Sequence, residues 1–395
     1  TSNNLYDDAR LNEKYDIGIQ WDGIKSKNLR KTVYNFIGFT NGIKNASILA
    51  NQLAMKRTAE DIDEDDPAVM EAVNVFNAAD KKNWERLKMD AMNEQIVYDG
   101  SIQGSGYTYW FWDSEIRTGN SHIVQGDING QLVDMIDLYV ANPNQVDIQK
   151  QPWTKITVDM TCGELKEYAR KRGVPESQID EIMPDDADTQ YRAFDKTDDK
   201  SDSSNYDDQL STLIINLKKK DGRIYKSETT KTVAIEPWKD IEMTRYPIAK
   251  YTHKPRKSFF YGEAEMTRYR ENQRVANTQA AMRHMHAALM AIPKVVVNEN
   301  LTSSFNNAIG SVNKVKLPPN TPLTNAIAYI QPAAMTLDVD KSLDDSIERT
   351  QTLAGVNQNL QGAARPENAA ALMTQIKQAS VPLETYKRRL YQYIE

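Results

Sequence analysis

From Glu263 to Ile292 the chain runs about 30 residues with neither glycine nor proline, and alanine recurs throughout. Nothing else in the sequence limits the fold as strongly. Without a residue that breaks or kinks the backbone, this stretch predicts one continuous α-helix, and at 1.5 Å per residue it would reach about 45 Å. An ordinary globular helix has about 11 to 12 residues, so such a rod needs neighbours along its length. An apolar seam through Val275, Met282, Met285, Leu289 and Ile292 advances by seven, three, four and three, the spacing of one helix face. Its plain reading is core packing. The polar faces carry Arg268, Arg270, Arg274 and Arg283.

Pro293 ends the rod. Lys294–Val297, Val312–Val315 and Ala326–Ile330 then read as short strands of a compact insert, broken by Pro318, Pro319 and Pro332. A second helix is expected from Asp338 or Asp340, either of which could cap it, with Val339, Leu343, Ile347 and Leu353 on one side and a stop at Gly355. Its acids, Asp338, Asp340, Asp344 and Asp345, cluster at the start. Residues 356 to 365 are polar and uncharged until Arg365, and Pro366 suits the first position of a third helix through Ala379. Pro382 interrupts or restarts the helical pattern. The sequence stops at Glu395 inside an aromatic, basic helical run without a cap, so the natural chain is expected to continue.

Upstream, Thr1 to Asp99 reads as mostly helical, with Val69, Val73, Phe76, Trp84, Leu87 and Met92 near a 3.6-residue period and the acidic stretch Glu60–Asp66 as an interruption. From Gly100 the pattern changes to alternating runs, Tyr107–Trp112 and Leu132–Ile136, that predict strands. Residues 160 to 173 read as a helix ending at Gly173, and the acidic, serine-rich run Asp195–Asp208 as a surface loop. Leu213–Leu217 and Arg223–Tyr225 form a predicted hairpin turned by Asp221-Gly222, a dipeptide that tolerates the positive φ angles of a tight turn. Thr232–Glu236 reads as a further strand. Between positions 245 and 257 come Arg245, Lys250, Lys254, Arg256 and Lys257 with no acid, which points to an anionic partner.

Over 395 residues, 49 basic side chains face 55 acidic ones, a formal net charge of −6, which argues against a protein that wraps nucleic acid tightly. No window approaches the roughly 18 apolar residues of a membrane span, and the first ten residues lack a signal-peptide order. No membrane partner is expected. Cys162 is the single cysteine and reads as a reduced, inert thiol of a cytoplasmic protein. His284 and His286 lie two apart on a helix and diverge by roughly 200°, so they cannot share a metal on one face. Gly100, Gly104 and Gly106 lack the lysine and hydroxyl of a phosphate loop and read as turn glycines. No nucleophile elbow, zinc helix or Cys–His arrangement occurs, so neither metal nor cofactor nor catalysis is expected.

Two groups of residues carry a resemblance. Tyr246-Pro-Ile-Ala-Lys250, Pro255-Arg256, Phe260-Tyr-Gly-Glu263, Asn272-Gln273 and Asn277 resemble the entry to the long stem helix of portal proteins of tailed bacteriophages. Gly355-Val-Asn-Gln-Asn-Leu-Gln-Gly362, then Asn368-Ala-Ala-Ala371 and Pro382-Leu383, are similar to that family's tunnel loop and following helix. The resemblance covers most of the chain and lies in the order of the parts. It implies an α+β portal fold: an α/β wing over 1–260, a first stem helix over 261–292, a clip over 293–337, a second stem helix over 338–355, a tunnel loop over 356–366 and a returning wing helix over 367–395. The helical crown would be missing or truncated.

On that resemblance the protein would be a non-enzymatic ring, usually a dodecamer, at one capsid vertex of the virion, assembled in the host bacterial cytoplasm. Double-stranded DNA would pass through it, and its partners would be the terminase large subunit, a head-tail adaptor, and the major capsid and scaffolding proteins. Asn357, Gln358, Asn359 and Gln361 would line the channel without gripping phosphates, Arg365 would touch them transiently, and Gly355 and Gly362 would be the loop's hinges. Arg268, Arg274, Val275, Met282, Met285, Leu289, Asp344 and Ile347 would pack neighbouring stems, with arginines on one helix facing acids on the next. Two readings from other classes stand beside it. One is a non-viral α+β scaffold or adaptor pairing through its long helices, the other a hydrolase with dispersed carboxylates.

Overall fold

The fold was obtained as a computed structural model, which describes residues 4–21, 31–50, 55–59, 66–118, 124–185, 206–291, 294–298, 300, 306, 315–320, 322–330, 337–356, 377–378 and 380–395. Helix and sheet are mixed as expected for an α+β chain. Four helices open it: α1 (Leu5–Asp16), α2 (Phe36–Ile48), α3 (Pro67–Arg86) and α4 (Met89–Gln103). Their starts are chemically marked. Asn4 and Asn35 accept from the Asp7 and Gly38 amides, and Asp66, the last acid of the interrupting stretch, caps α3 ahead of a proline in its first turn.

Helix α4 stops at Gly104, whose φ of +104° favours glycine. β1 (Ser105–Thr118) begins at once and pairs antiparallel with β2 (Val124–Val133), Tyr107 opposite Val133. On its other edge β1 pairs through Ser105–Tyr109 with β8 (Ile248–Thr252). A five-stranded antiparallel sheet has the order β3 (Leu138–Val140), β4 (Trp153–Thr161), β5 (Leu210–Lys220), β6 (Arg223–Thr229) and β7 (Ala234–Asp240). The β5–β6 hairpin turns at Asp221 and Gly222, with φ of 51° and 77°. After β4 come α5 (Cys162–Lys171), held by a capping box between Thr161 and Glu164, and the short α6 (Glu176–Ile179). Gly173, at φ +80°, follows α5 as expected.

Helix α7 is one helix over Met266–Ala291, 26 residues rather than the whole glycine-free stretch, because the chain up to Glu265 is spent turning the corner from β8. β9 (Lys294–Val297) and β10 (Ile327–Ile330) then pair antiparallel. α8 (Leu337–Ala354) starts at Leu337, so Asp338 and Asp340 lie within the helix and not at its cap position. α9 is Glu384–Ile394. Residues 312–314 of the expected strand at Val312–Val315 and most of the helix expected over 366–379 lie outside the described residues. β7 lies two residues further along than the sequence predicts, and β8 falls inside the segment read only as basic.

Tyr107, Leu138, Ile156, Leu165, Leu217, Ile224 and Phe260 are almost fully buried in the core between the two larger sheets and α5. Each such side chain contributes about 1.5–3 kcal/mol by leaving water. A second core joins Phe36 and Ile37 of α2 to Met266, Tyr269 and Ala276 of α7 and to Leu343 and Ala354 of α8. Between them two glycines touch: a Cβ on Gly262 would lie 2.0 Å from the Gly104 carbonyl oxygen, and one on Gly104 would lie 2.5 Å from that of Gly262. Only bare backbone can fit at both positions.

Candidate functional site

The buried face of α7 is not the apolar seam. It is Met266, Tyr269, Gln273, Ala276, Asn277 and Ala280, whereas Val275, Met282 and Met285 are 45%, 46% and 37% exposed. The side chain of Leu289 and residue 292 lie outside the described set. Alanines let neighbouring helices approach closely, and the amides replace apolar burial with hydrogen bonds. Gln273 Oε1 accepts from the Ile37 amide at 3.2 Å, Asn277 Oδ1 from the Tyr34 amide at 3.1 Å, and Asn277 Nδ2 donates to Gln20 Oε1 at 2.6 Å. On α8, Thr350 Oγ1 accepts from Asn272 at 2.9 Å and Ser342 Oγ from Gln279 at 2.7 Å. These two rungs, about two turns apart, fix the antiparallel register of α7 and α8.

At the root of α7 lies a buried charged cluster that has no signature in the sequence. Glu265 takes a hydrogen bond from the Tyr269 hydroxyl at 2.8 Å, an ion pair from Lys44 of α2, and a contact from His253 Nε2 at 3.1 Å. Burial alone would raise the Glu265 pKa. The hydrogen bond from His253 and the charge of Lys44 outweigh that and hold it at about 2. Burial lowers both the His253 and Lys44 pKa values, against the pull of Glu265. A neutral His253 carrying its proton on Nε2 satisfies both neighbours, donating to Glu265 and accepting from the Tyr251 hydroxyl at 3.3 Å. The Lys44 ammonium also lies 4.0 Å from the centre of the Tyr386 ring of α9. The cluster thus ties α2, β8, α7 and α9 at one point and, being closed to water, serves to position them.

The outward residues are placed as follows. Arg268 makes a bidentate pair with Glu263, both contacts 2.9 Å, Arg274 pairs with Glu271 at 2.8 Å, and Arg270 reaches Asp8 of α1 at 2.8 Å. Each has an acid of its own chain beside it, and pairs as exposed as the first two contribute at most about 1 kcal/mol each. Asp344 is exposed, whereas Ile347 is half-buried against the second core of its own chain. Beyond Ala281 the described side chains of α7 are exposed at every position except His286.

Gly355 ends α8 at φ +72°. Gly362, Asn357, Gln358, Asn359, Gln361 and Arg365 lie outside the described residues. Of the basic segment, Arg245, Arg256 and Lys257 are exposed and Lys254 is half-exposed. Lys250 turns inward instead, donating to the carbonyls of Val146 at 3.1 Å and Phe260 at 2.6 Å, and burial pushes its pKa down to about 8. It holds the loop before α7 and offers little to an anion.

Cys162 is fully buried, and burial raises its thiol pKa. Among the described residues no cluster of histidine, cysteine and carboxylate side chains could hold a metal ion, and no helix is long and apolar enough to cross a membrane. The fold and site define a mixed α+β chain built around a long helix anchored at one end. Compared with known proteins, it matches no family model and no curated protein.

Proposed function

We propose that this chain is a portal-type subunit, one wedge of a closed ring that serves as conduit for double-stranded DNA at a capsid vertex. The observation that supports it most is the exposed seam of α7. Val275, Met282 and Met285 occupy the face opposite the residues buried against α2 and α8, and a repeated heterologous contact between identical copies would cover that face. Each methionine, already more than half covered in the single chain, would contribute about 0.5–1.5 kcal/mol per subunit. By the resemblance, the insert holding β9 and β10 would be the clip, and Gly355 would open the tunnel loop. On this reading the ring, a dodecamer by the family resemblance, docks the terminase large subunit and then a head-tail adaptor, with capsid and scaffolding proteins around it.

Negative-stain images and mass photometry of the purified protein test the proposal. Annular particles with a central hole are expected, and Met282→Lys with Met285→Lys should abolish them while leaving the thermal midpoint of the subunit nearly unchanged, since both side chains are already wetted in the single chain. A monomer at every concentration would overturn the reading. Dimers alone would favour the scaffold that pairs through its long helices.

A further inference from the structure

We propose that the cleft between β1 and α5 is a strand-docking site for an extended segment of another protein in which apolar and basic residues alternate. The cleft measures about 800 Å³, and the five consecutive residues Phe111 to Glu115 line it. Side chains of a strand alternate between its faces, so a run of neighbours that all border one space brings the backbone of β1 beside it, while Tyr109 and Gln131 border it from the face of the sheet. The pairing pattern agrees. β8 covers β1 only through Tyr109, and the last bond on that side runs from the Trp110 amide to the Pro247 carbonyl at 2.9 Å. Pro247 has no N–H to return to the Trp110 carbonyl. From there β2 continues along the opposite edge, which leaves the N–H and carbonyl of Trp112, a residue that lines the cleft, with no backbone partner among the described residues. An edge of this kind is a template for one more strand.

The occupant's chemistry follows from the walls. Val158, Met160 and Leu213 form an apolar floor, which suits every second side chain of an incoming strand. The lining carries five carboxylates against three cations. Lys226 and Lys171 are already paired, with Glu228 at 2.6 Å and Glu115 at 2.7 Å, and Arg172 lies 3.3 Å from Glu236. Asp113, Glu164 and Glu167 remain without a cation among the lining residues, Glu164 holding the capping box of α5, so the outward side chains of the occupant are basic. The Lys171–Glu115 pair crosses from α5 to β1 and is exposed on both sides, a contact weak enough for an entering segment to displace.

The experiment uses the full chain and a blocked eight-residue peptide alternating valine and lysine, read by calorimetric titration and by hydrogen exchange. Saturable binding is expected, with slowed exchange confined to residues 110–115. N-methylation of the peptide amides on one edge should weaken binding at least tenfold, while N-methylation on the other edge leaves it within twofold. Glu167→Lys, on the exposed face of α5, should weaken it at least threefold without shifting the thermal midpoint. The proposal is overturned if both methylated peptides bind like the parent, if a glycine–lysine peptide binds as well, if protection falls elsewhere, or if nothing binds up to millimolar peptide. Protection of 110–115 that appears on self-association without peptide would assign the cleft to a second copy and overturn it too. None of these outcomes depends on ring formation.

Discussion

Glu265→Gln removes one negative charge from a site where a buried ammonium and an imidazole both lean on it. The carboxyl is held at about 2 instead of its ordinary 4.5, a difference of roughly 2.5 pKa units, and at about 1.4 kcal/mol per unit the ionised form contributes on the order of 3 kcal/mol to the folded state. The neutral amide also leaves Lys44 without its counter-charge, and breaking a buried pair from one side costs about 3–5 kcal/mol. Urea denaturation at pH 7 should therefore show a loss of about 3–4 kcal/mol, the two figures being overlapping views of one interaction.

The pH dependence separates this from a simple packing defect. A depressed carboxyl stabilises fully above its unfolded pKa, so the wild type should lose this contribution as pH falls from about 4.5 to about 2, while the glutamine variant falls less across that window, retaining only the losses from other depressed carboxyls such as Glu263 and Asp240. His253, whose pKa burial lowers, adds an earlier loss below its ordinary 6.5, because the unfolded chain then takes up a proton that the folded one refuses. Lys44→Met combined with Glu265→Leu should recover most of the loss. A cost below about 1 kcal/mol for Glu265→Gln, or an unchanged acid limb, would refute the electrostatic account.

Gly262→Ala should cost at least about 2 kcal/mol in the same urea assay, since the new Cβ would meet the Gly104 carbonyl oxygen at 2.0 Å and backbone must shift on both sides; a near-neutral result would mean the two turns are not packed as described. Gly355→Val places a β-branched residue at φ +72° with its Cβ 3.2 Å from that of Pro382, at a cost of about 1–2 kcal/mol. Hydrogen exchange at the end of α8 should accelerate, and, if the portal reading holds, DNA packaging should fall more than ring assembly does. Normal packaging by this variant would count against a loop that moves.

Local chemistry was readable wherever one residue type dictates a backbone state. The glycine-free rod, the Asp221-Gly222 turn, the stops at Gly173 and Gly355, and the paired strands at Lys294–Val297 and Ile327–Ile330 all follow from such residues. The buried face of α7 was not readable, because alanine and amide side chains carry it and hydrophobic periodicity ranks both below the methionines that remain wet. Strand β8 was hidden by Lys250, whose charge marks a solvated segment although its stem and ammonium are turned inward. The Lys44–His253–Glu265 cluster joins Lys44 to two residues more than 200 positions further along, with no spacing to betray it. Trp110 and Trp112 read correctly as strand, but the open edge depends on where Pro247 ends its neighbour, a fact of pairing and not of composition.

The side-chain hydrogen bonds that seat α7 also set how it can carry load. A greasy interface can slide by a helical turn at small cost, trading one aliphatic contact for another. An interface closed by Gln273, Asn277, Asn272 and Gln279 cannot, because any axial slip or twist strands several dipoles away from water at once. Pulling or turning the far end of this rod therefore moves α2 and α8 with it.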